Sequence, residues 1–531
     1  MKKMKYIFIL LLLVQFSCVD DKSKYGENEI DEIEITGIEK NREIEVGSKL
    51  EVTPIITTKF GENSQLSYVW YKYNEEQRVA DTLSRDKNLS VVIGDVLPGV
   101  KNTLVFKVID ERTGVYAMNK STFSTVGKYS GGTLILCRTG GEMDLAMLKK
   151  DGNTLYENIY STANGGEKLG TESRRIFQTD LDQSNPLAYK SVIVACDDET
   201  GGVYLDPTIF ERKDYMKDKF IFSEDLQGKL VITGYCRGQG SDYITMNGHV
   251  YVRDYRSSNE KVDWNPALVF LTAPTEYSMS PYTAHPTDSP FYGGPLFYDN
   301  LNGRFALNQQ GGFFSFLSGV NSDFSKFDPS NMGDGVEMVL SGSMNSTLDE
   351  LWSLMRDKNR DEYFVITYKF TFVPWTSYTF FSLSKSTLSK STYSDLYAAS
   401  LFIPGTKPAI GNPTMWDLNV SGISDVFFFV SNNKVFAFNV KTLSGGIIVD
   451  GDVEGFTITA LNCTEMAAPT ETNPNASFIQ LTLGVKDKML ATQPGGIAVY
   501  RINSVGGVSA QKMYAKTGFC DEVIATAEKV N

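Results

Sequence analysis

Histidine is nearly absent: only His249 and His285 occur among 531 residues. Any Ser-His-Asp triad would have to use one of them, and a His-rich zinc or copper site is excluded. Long runs of positive charge are missing too. No stretch of Lys/Arg exceeds two residues, as at Lys149-Lys150 and Arg174-Arg175, and the net charge is −13. Neutralising phosphates needs a concentrated basic face, so no nucleic-acid partner is expected. Close Cys-x-x-Cys pairs are lacking, which argues against a zinc ribbon. The chain has no Ser-x-Asp-x-Gly-x-Thr-Trp turn of the kind sialidase propellers carry. No metal and no cofactor are expected.

Aromatic residues and glycine are plentiful, with 27 Tyr, 32 Phe and 45 Gly. Helical periodicity is rare, so the chain reads as all-β. The N-terminus stands apart. Lys2, Lys3 and Lys5 precede an apolar run from Tyr6 to Phe16 that is short for a membrane span and reads as an export leader over residues 1–17. Without those lysines the balance is 48 basic against 64 acidic residues, a net charge of −16. Ser17-Cys18 then supplies a small residue and a cysteine. This arrangement resembles a bacterial lipoprotein signal, which implies that Cys18 becomes the lipidated first residue. Val19-Asp20-Asp21-Lys22 resembles the acidic signal that sends some lipoproteins to the outer face, so the resemblance implies a cell outer-membrane location facing the exterior. Residues 18–32 read as a polar tether.

From residue 33 to 127, short alternating runs are separated by turns: Ile33-Ile38, Leu50-Thr57, Leu66-Tyr73, Leu89-Ile93, Asn102-Asp110 and Thr122-Val126. Strands at this density make an Ig-like sandwich. Tyr68 and Trp70 share a face, which places the indole in the core. With Leu89-Ser90 and Phe106-Lys107-Val108-Ile109-Asp110-Glu111-Arg112-Thr113-Gly114, the pattern resembles the PKD-like family, an Ig-like module of surface lipoproteins from nutrient-uptake loci. The resemblance implies a spacer module and a partnership with uptake-complex proteins.

Residues 128–531 repeat a different unit, an apolar strand followed by a Gly or Asn turn and a second strand. Leu134-Cys137, Val192-Cys196, Leu230-Gly234, Leu296-Tyr298, Tyr363-Tyr368, Val426-Val430 and Met489-Ala491 mark seven such units. One small sheet cannot bury both faces alone, so the expected architecture is a β-propeller-like domain of about seven blades. Cys137, Cys196 and Cys236 fall at similar points in successive units, which places them near the inner strands as small buried hydrophobes. Ser346-Thr347 before Leu348, Leu351, Trp352 and Met355 predicts a short capped helix with Trp352 buried.

Two constellations suggest chemistry and are weighed against simpler readings. Asp450-Gly451-Asp452-Val453-Glu454-Gly455 resembles the start of a calcium loop, but the twelfth position is Leu461, so an acidic hairpin is expected. Ser382-Leu383-Ser384-Lys385 with Lys516-Thr517-Gly518 matches elements of penicillin-binding enzymes by chance. For binding, aromatics in loop-like sequence are the candidates: Trp375, Trp416, Tyr282, Tyr292 and Tyr378, whose rings could stack on sugars or peptide side chains. The expected function is non-catalytic capture of a glycan or peptide beside an outer-membrane uptake complex. The alternatives are a propeller glycoside hydrolase or lyase using Asp/Glu and Tyr, and a protein–protein scaffold of that complex.

Overall fold

The structure, a computed structural model, describes residues 30–529 apart from 31, 62–64, 75–78, 94–100, 180–190, 222, 239–240, 255–264, 267, 270–275, 283–295, 310–312, 318–322, 345–349, 374–376, 405–424, 468–476 and 504–506. The chain divides into two units, Met1–Lys128 and Tyr129–Asn531.

Unit 1 is a two-layer β-sandwich. One layer is a five-stranded sheet in the order Asn41–Glu45, Tyr116–Val126, Lys101–Asp110, Leu66–Asn74 and Val79–Ser84. The other is two strand pairs, Ile33–Thr36 with Ile55–Thr58 and Lys49–Val52 with Leu89–Val92. Alternating apolar residues from both layers meet in one core, where Leu50, Val52 and Leu89 pack with Trp70, Phe106 and Val108. Trp70 is fully buried, its ring 4.1 Å from Phe106. Its indole N–H donates to the carbonyl of Asp86 at 3.1 Å, which satisfies the one polar atom that burial would otherwise penalise. The Asp110-to-Gly114 motif is a turn device. Asp110 accepts from the Arg112 N–H at 3.0 Å and the Thr113 hydroxyl at 2.9 Å, while Gly114 takes the left-handed φ of 72° that closes the turn.

Unit 2 holds, among the described residues, seven four-stranded sheets, here called blades 1 to 7. Blade 2 is typical: Ser173–Thr179, Ser191–Cys196, Gly202–Leu205 and Arg212–Tyr215 follow one another as an antiparallel meander. Blade 5 repeats it with Val336–Ser343, Glu350–Asp357, Glu362–Val373 and Ser377–Leu388. Blade 1 does not. Its own segment supplies Gly132–Thr139, Glu142–Lys149 and Leu155–Tyr156, and the place of the first strand is taken by Glu522–Lys529 from the far end of the chain.

Each blade shares a core with the next. Leu134 and Val192 meet between blades 1 and 2, Ile193 and Ile232 between 2 and 3, and Tyr243 and Phe297 between 3 and 4. Phe305 and Phe364 follow between 4 and 5, Trp352 and Phe427 between 5 and 6, and Phe428 and Leu481 between 6 and 7. Ile497 and Val499 of blade 7 meet Ile135 and Leu148 of blade 1, so the ring closes. Outside blade 4, first strands approach those of neighbouring blades, as Phe456–Ala467 does Glu522–Lys529, and are therefore the inner strands. In blade 4 Leu268–Val269 lies at the outer edge and Leu296–Asp299 is the described strand of that sheet nearest the axis. The all-β, propeller-like reading with about seven blades describes this architecture.

Two expectations are corrected. The helix expected from Ser346 is absent where the chain is described: Glu350–Asp357 is the second strand of blade 5. Leu351 and Met355 face blade 4, Trp352 and Leu354 face blade 6, and a strand buried on both faces mimics helical spacing. Trp352 is fully buried, as expected. Of the three cysteines expected near inner strands, only Cys236 lies on one, Ile232–Gly238; Cys137 and Cys196 lie on second strands of their sheets, because unit boundaries read from apolar runs overlook the less apolar first strands.

Candidate functional site

The meander gives the ring two faces. The first carries the starts of the inner strands and the turns between second and third strands. Three of these turns have left-handed φ at both central residues, Gly140-Gly141, Asn247-Gly248 and Asn432-Asn433, the geometry that matches strand twist in a two-residue hairpin. Asparagines there pin the incoming inner strands. Asn247 accepts from the Val231 N–H at 2.8 Å, Asn300 from Met338 at 3.0 Å and Asn433 from Ile458 at 2.8 Å.

The acidic segment from Asp450 lies on this face, and its chemistry is not that of a cation loop. Asp450 caps a short helix, Gly451–Glu454, accepting from Asp452 N–H and from Lys434 Nζ at 2.6 Å. Lys488 pairs with Asp452 and Lys512 with Glu454. Each carboxylate already has an ammonium partner. Among the described residues, no group of His, Cys, Asp or Glu is placed to hold a metal ion. Hydrogen bonds from Lys434 and Lys488 hold the Asp450 and Asp452 carboxyls below their usual range. A carboxyl that titrates lower when folded contributes stability above the unfolded pKa, near 4, and loses it as pH falls through the folded one. Asp450→Asn keeps the cap and removes the charge. Its melting temperature should fall below that of the wild type at pH 6, and the gap should close on acidification below about pH 4. Thermal melts across that range check this, and a gap that persists at acid pH would contradict it.

Around the axis two polar sets stand out. Glu528, on the closing strand, is buried and accepts from the Thr133 hydroxyl of blade 1 at 2.8 Å and from Gln480 of blade 7 at 3.2 Å, while Gln178 of blade 2 donates to its backbone carbonyl. Three blades thus converge on one residue. The second set joins blades 2 to 4. Arg175 donates to the Ile232 carbonyl at 3.2 Å and lies 3.6 Å from an Asp197 oxygen. Gly234 of blade 3 sits where a Cβ would meet the Pro281 carbonyl at 2.5 Å, so only glycine lets the two inner segments come this close. Tyr282 follows Pro281 and packs on two inter-blade cores. Burial raises its hydroxyl pKa, with the charge of Arg175 pulling the other way. The Arg175 guanidinium and the Asp197 carboxylate together can donate to and accept from hydroxyl or amide groups.

A half-buried Ser–Lys contact at the first blade is structural. Ser161 Oγ lies 3.3 Å from Lys168 Nζ, and Lys168 is ion-paired with Asp144 at 2.8 Å, which ties it into the fold. Asp144 also accepts from the Tyr160 and Ser161 N–H groups and so caps the helix Ile159–Ala163. Ser382 and Lys516, matched in sequence to penicillin-binding elements, lie in blades 5 and 7, with Ser382 Oγ donating to the Asp323 carbonyl at 2.9 Å.

Of the five candidate binding aromatics, Tyr282 is the one whose side chain is described. Tyr378 pairs with Phe372 in the outer hairpin of blade 5, its side chain lying outside the described residues. Trp375, Trp416, Tyr292 and Cys18 lie outside the described residues entirely. The described strands on either side of 374–376 and 405–424 reach the second face, where third strands end and fourth begin and where first strands end and second begin. The asparagine pins and the Arg175 set were missed from sequence. Asn-Gly and Asn-Asn signal a turn, but nothing in them names the distant backbone their side chains reach.

The family model of the PKD-like family matches residues 18–172. The N-terminal part of the chain is PKD-like. The match runs from Cys18 through unit 1 and ends just before the first strand of blade 2, so the PKD-like segment includes the three local strands of blade 1. No curated protein matches the chain. Among solved structures, a quinonprotein alcohol dehydrogenase-like protein from Bacteroides thetaiotaomicron VPI-5482 is 12% identical, over 92% of this chain and 96% of that one, with a TM-score of 0.37. A likeness at that level carries no argument about activity. A PKD-like unit followed by a propeller-like ring fits a surface binding or scaffold role. Among the described residues, no helix is long and apolar enough to cross a membrane.

Proposed function

We propose that this is a lipid-anchored protein of the cell outer membrane, facing outward from Cys18, which captures a glycan or peptide without catalysis as an accessory to a nutrient-uptake complex. The observation that carries the reading is topological. The strands that end at Val373 and Pro404, and those that begin at Ser377 and Val426, do so at the second face of the ring. Loops gathered on a rigid scaffold are where ligands are held. The anchor itself rests on the leader and on Ser17-Cys18 in the sequence.

Two measurements test it. Cys18→Ala should abolish lipidation and move the protein out of the membrane fraction; unchanged retention sinks the anchor. On glycan and peptide arrays, the soluble form should capture one class. Trp375→Ala or Trp416→Ala should weaken that capture by about 1 to 3 kcal/mol, with melting little changed. Turnover of a captured glycan or peptide would replace this reading with the hydrolase or lyase.

A further inference from the structure

The five cysteines after Cys18 are all buried and none is in a disulfide. Cys236 lies in the core between blades 3 and 4, Cys463 in that between 6 and 7, and Cys196 has its sulfur 2.9 Å from the Ser173 hydroxyl. Cys137 and Cys520 share the core between blades 7 and 1. Cys137 sits on blade 1, paired in register with Val523 of the closing strand. Cys520 ends the last strand of blade 7, just before that strand begins. The backbone locks the approach: the Asp521 N–H donates to the Arg138 carbonyl at 2.8 Å, and the Asp521 carboxylate accepts from the Gly140 N–H at 2.7 Å. Glu522 adds ion pairs to Arg138 of blade 1 at 3.0 Å and to Lys486 of blade 7 at 3.1 Å. Both side chains are buried in this one core, where the Cys137 thiol donates to the Asp144 carbonyl at 3.5 Å.

We propose that Cys137 and Cys520 form an oxidisable dithiol site which, by exchange with an external disulfide, closes into a bond clamping blade 7 to blade 1. The exchange balances without another redox partner. One cysteine attacks a sulfur of the external disulfide, its proton leaving with the first released thiol. The second cysteine then attacks the mixed disulfide and releases the second thiol. The two protein sulfurs are oxidised and the external disulfide is reduced to two thiols. Cys137 is 6% exposed and Cys520 is not exposed at all, so attack begins at Cys137. Contact with the Cys137 thiol, then burial, raises the Cys520 pKa, which makes the second step slow in the closed ring. The bond would join sequence positions nearly the whole length of unit 2 apart, where a cross-link restricts the unfolded chain most.

Full-length protein, purified reduced, is incubated with oxidised glutathione at neutral pH with warming below its melting temperature. Free thiols are then alkylated and the protein is digested without reduction. The expected result is a single linked peptide pair containing Cys137 and Cys520 and an intact mass lower by two hydrogens. Cys196, Cys236 and Cys463 should remain alkylatable, and the melting temperature should rise by several degrees, reversibly with dithiothreitol. Cys137→Ser should give no linked pair. Cys137 and Cys520 both remaining free, either one linked to another cysteine, or a linked protein that melts as the reduced one does would overturn the proposal.

Discussion

Truncation after Asp521 should leave unit 2 unable to form its ring, while the PKD-like unit folds as before. The deleted strand, Glu522–Lys529, is the inner strand of blade 1. It carries Val523, fully buried in the core between blades 7 and 1, and Glu528, on which side chains of blades 1, 2 and 7 converge. Without it the edge of Gly132–Thr139 loses every backbone partner on that side, and the Thr133 and Gln480 groups lose their shared acceptor. In a closed ring of blades each interface depends on its neighbours, so the defect spreads instead of remaining local. The unit 1 core contains no residue from this region, and its melting should survive. Thermal unfolding followed by limited proteolysis measures both outcomes. A truncated protein that retains a cooperative transition for residues 129–521 would show that the closing strand is dispensable.

The second large effect belongs to one cross-strand pair in blade 5. Gly342 stands opposite Trp352, and a Cβ at Gly342 would lie 2.5 Å from the indole ring. The ring fills the core between blades 5 and 6, with its centroid 5.6 Å from that of Phe427. Trp352→Ala should therefore cost about 3 to 5 kcal/mol through the cavity it leaves. Gly342→Ala should cost roughly 1 to 3 kcal/mol by overpacking. The decisive result is their coupling. In a Trp352→Leu background the clash is relieved, so adding Gly342→Ala should cost less than it does beside tryptophan. Guanidinium unfolding of the four proteins reads this directly, and additive costs would mean that the contact does not govern the site.

How far the fold could be read from sequence differs from strand to strand. Runs such as Val192-Cys196 and Val426-Val430 stand out because they are buried on both faces and bounded by turn residues. The same two-sided burial made Leu351 to Met355 look helical, since periodicity alone does not separate a short buried strand from a helix. Glu522–Lys529 carried no warning of its role: its partner Arg138 lies 384 residues away from Glu522, and pairing at that separation leaves no local pattern. The polar contacts around the axis were not legible. Of the candidate aromatics only the Tyr282 side chain is among the described residues, whereas Arg175 and Asp197 come together through register and blade packing that no spacing encodes.

The placement of the closing strand also sets a timetable. During synthesis Gly132–Thr139 is made well before its inner-side partner. At roughly 5 to 20 residues per second, the 384 residues between Arg138 and Glu522 take on the order of 20 to 80 seconds to appear. For that interval a nascent blade 1 presents an unpaired, apolar strand edge, Leu-Ile-Leu-Cys, of the kind that recruits other chains. A holdase that shields this edge, or export of the chain before it folds, would therefore matter more to the yield of this protein than the stability of the finished ring.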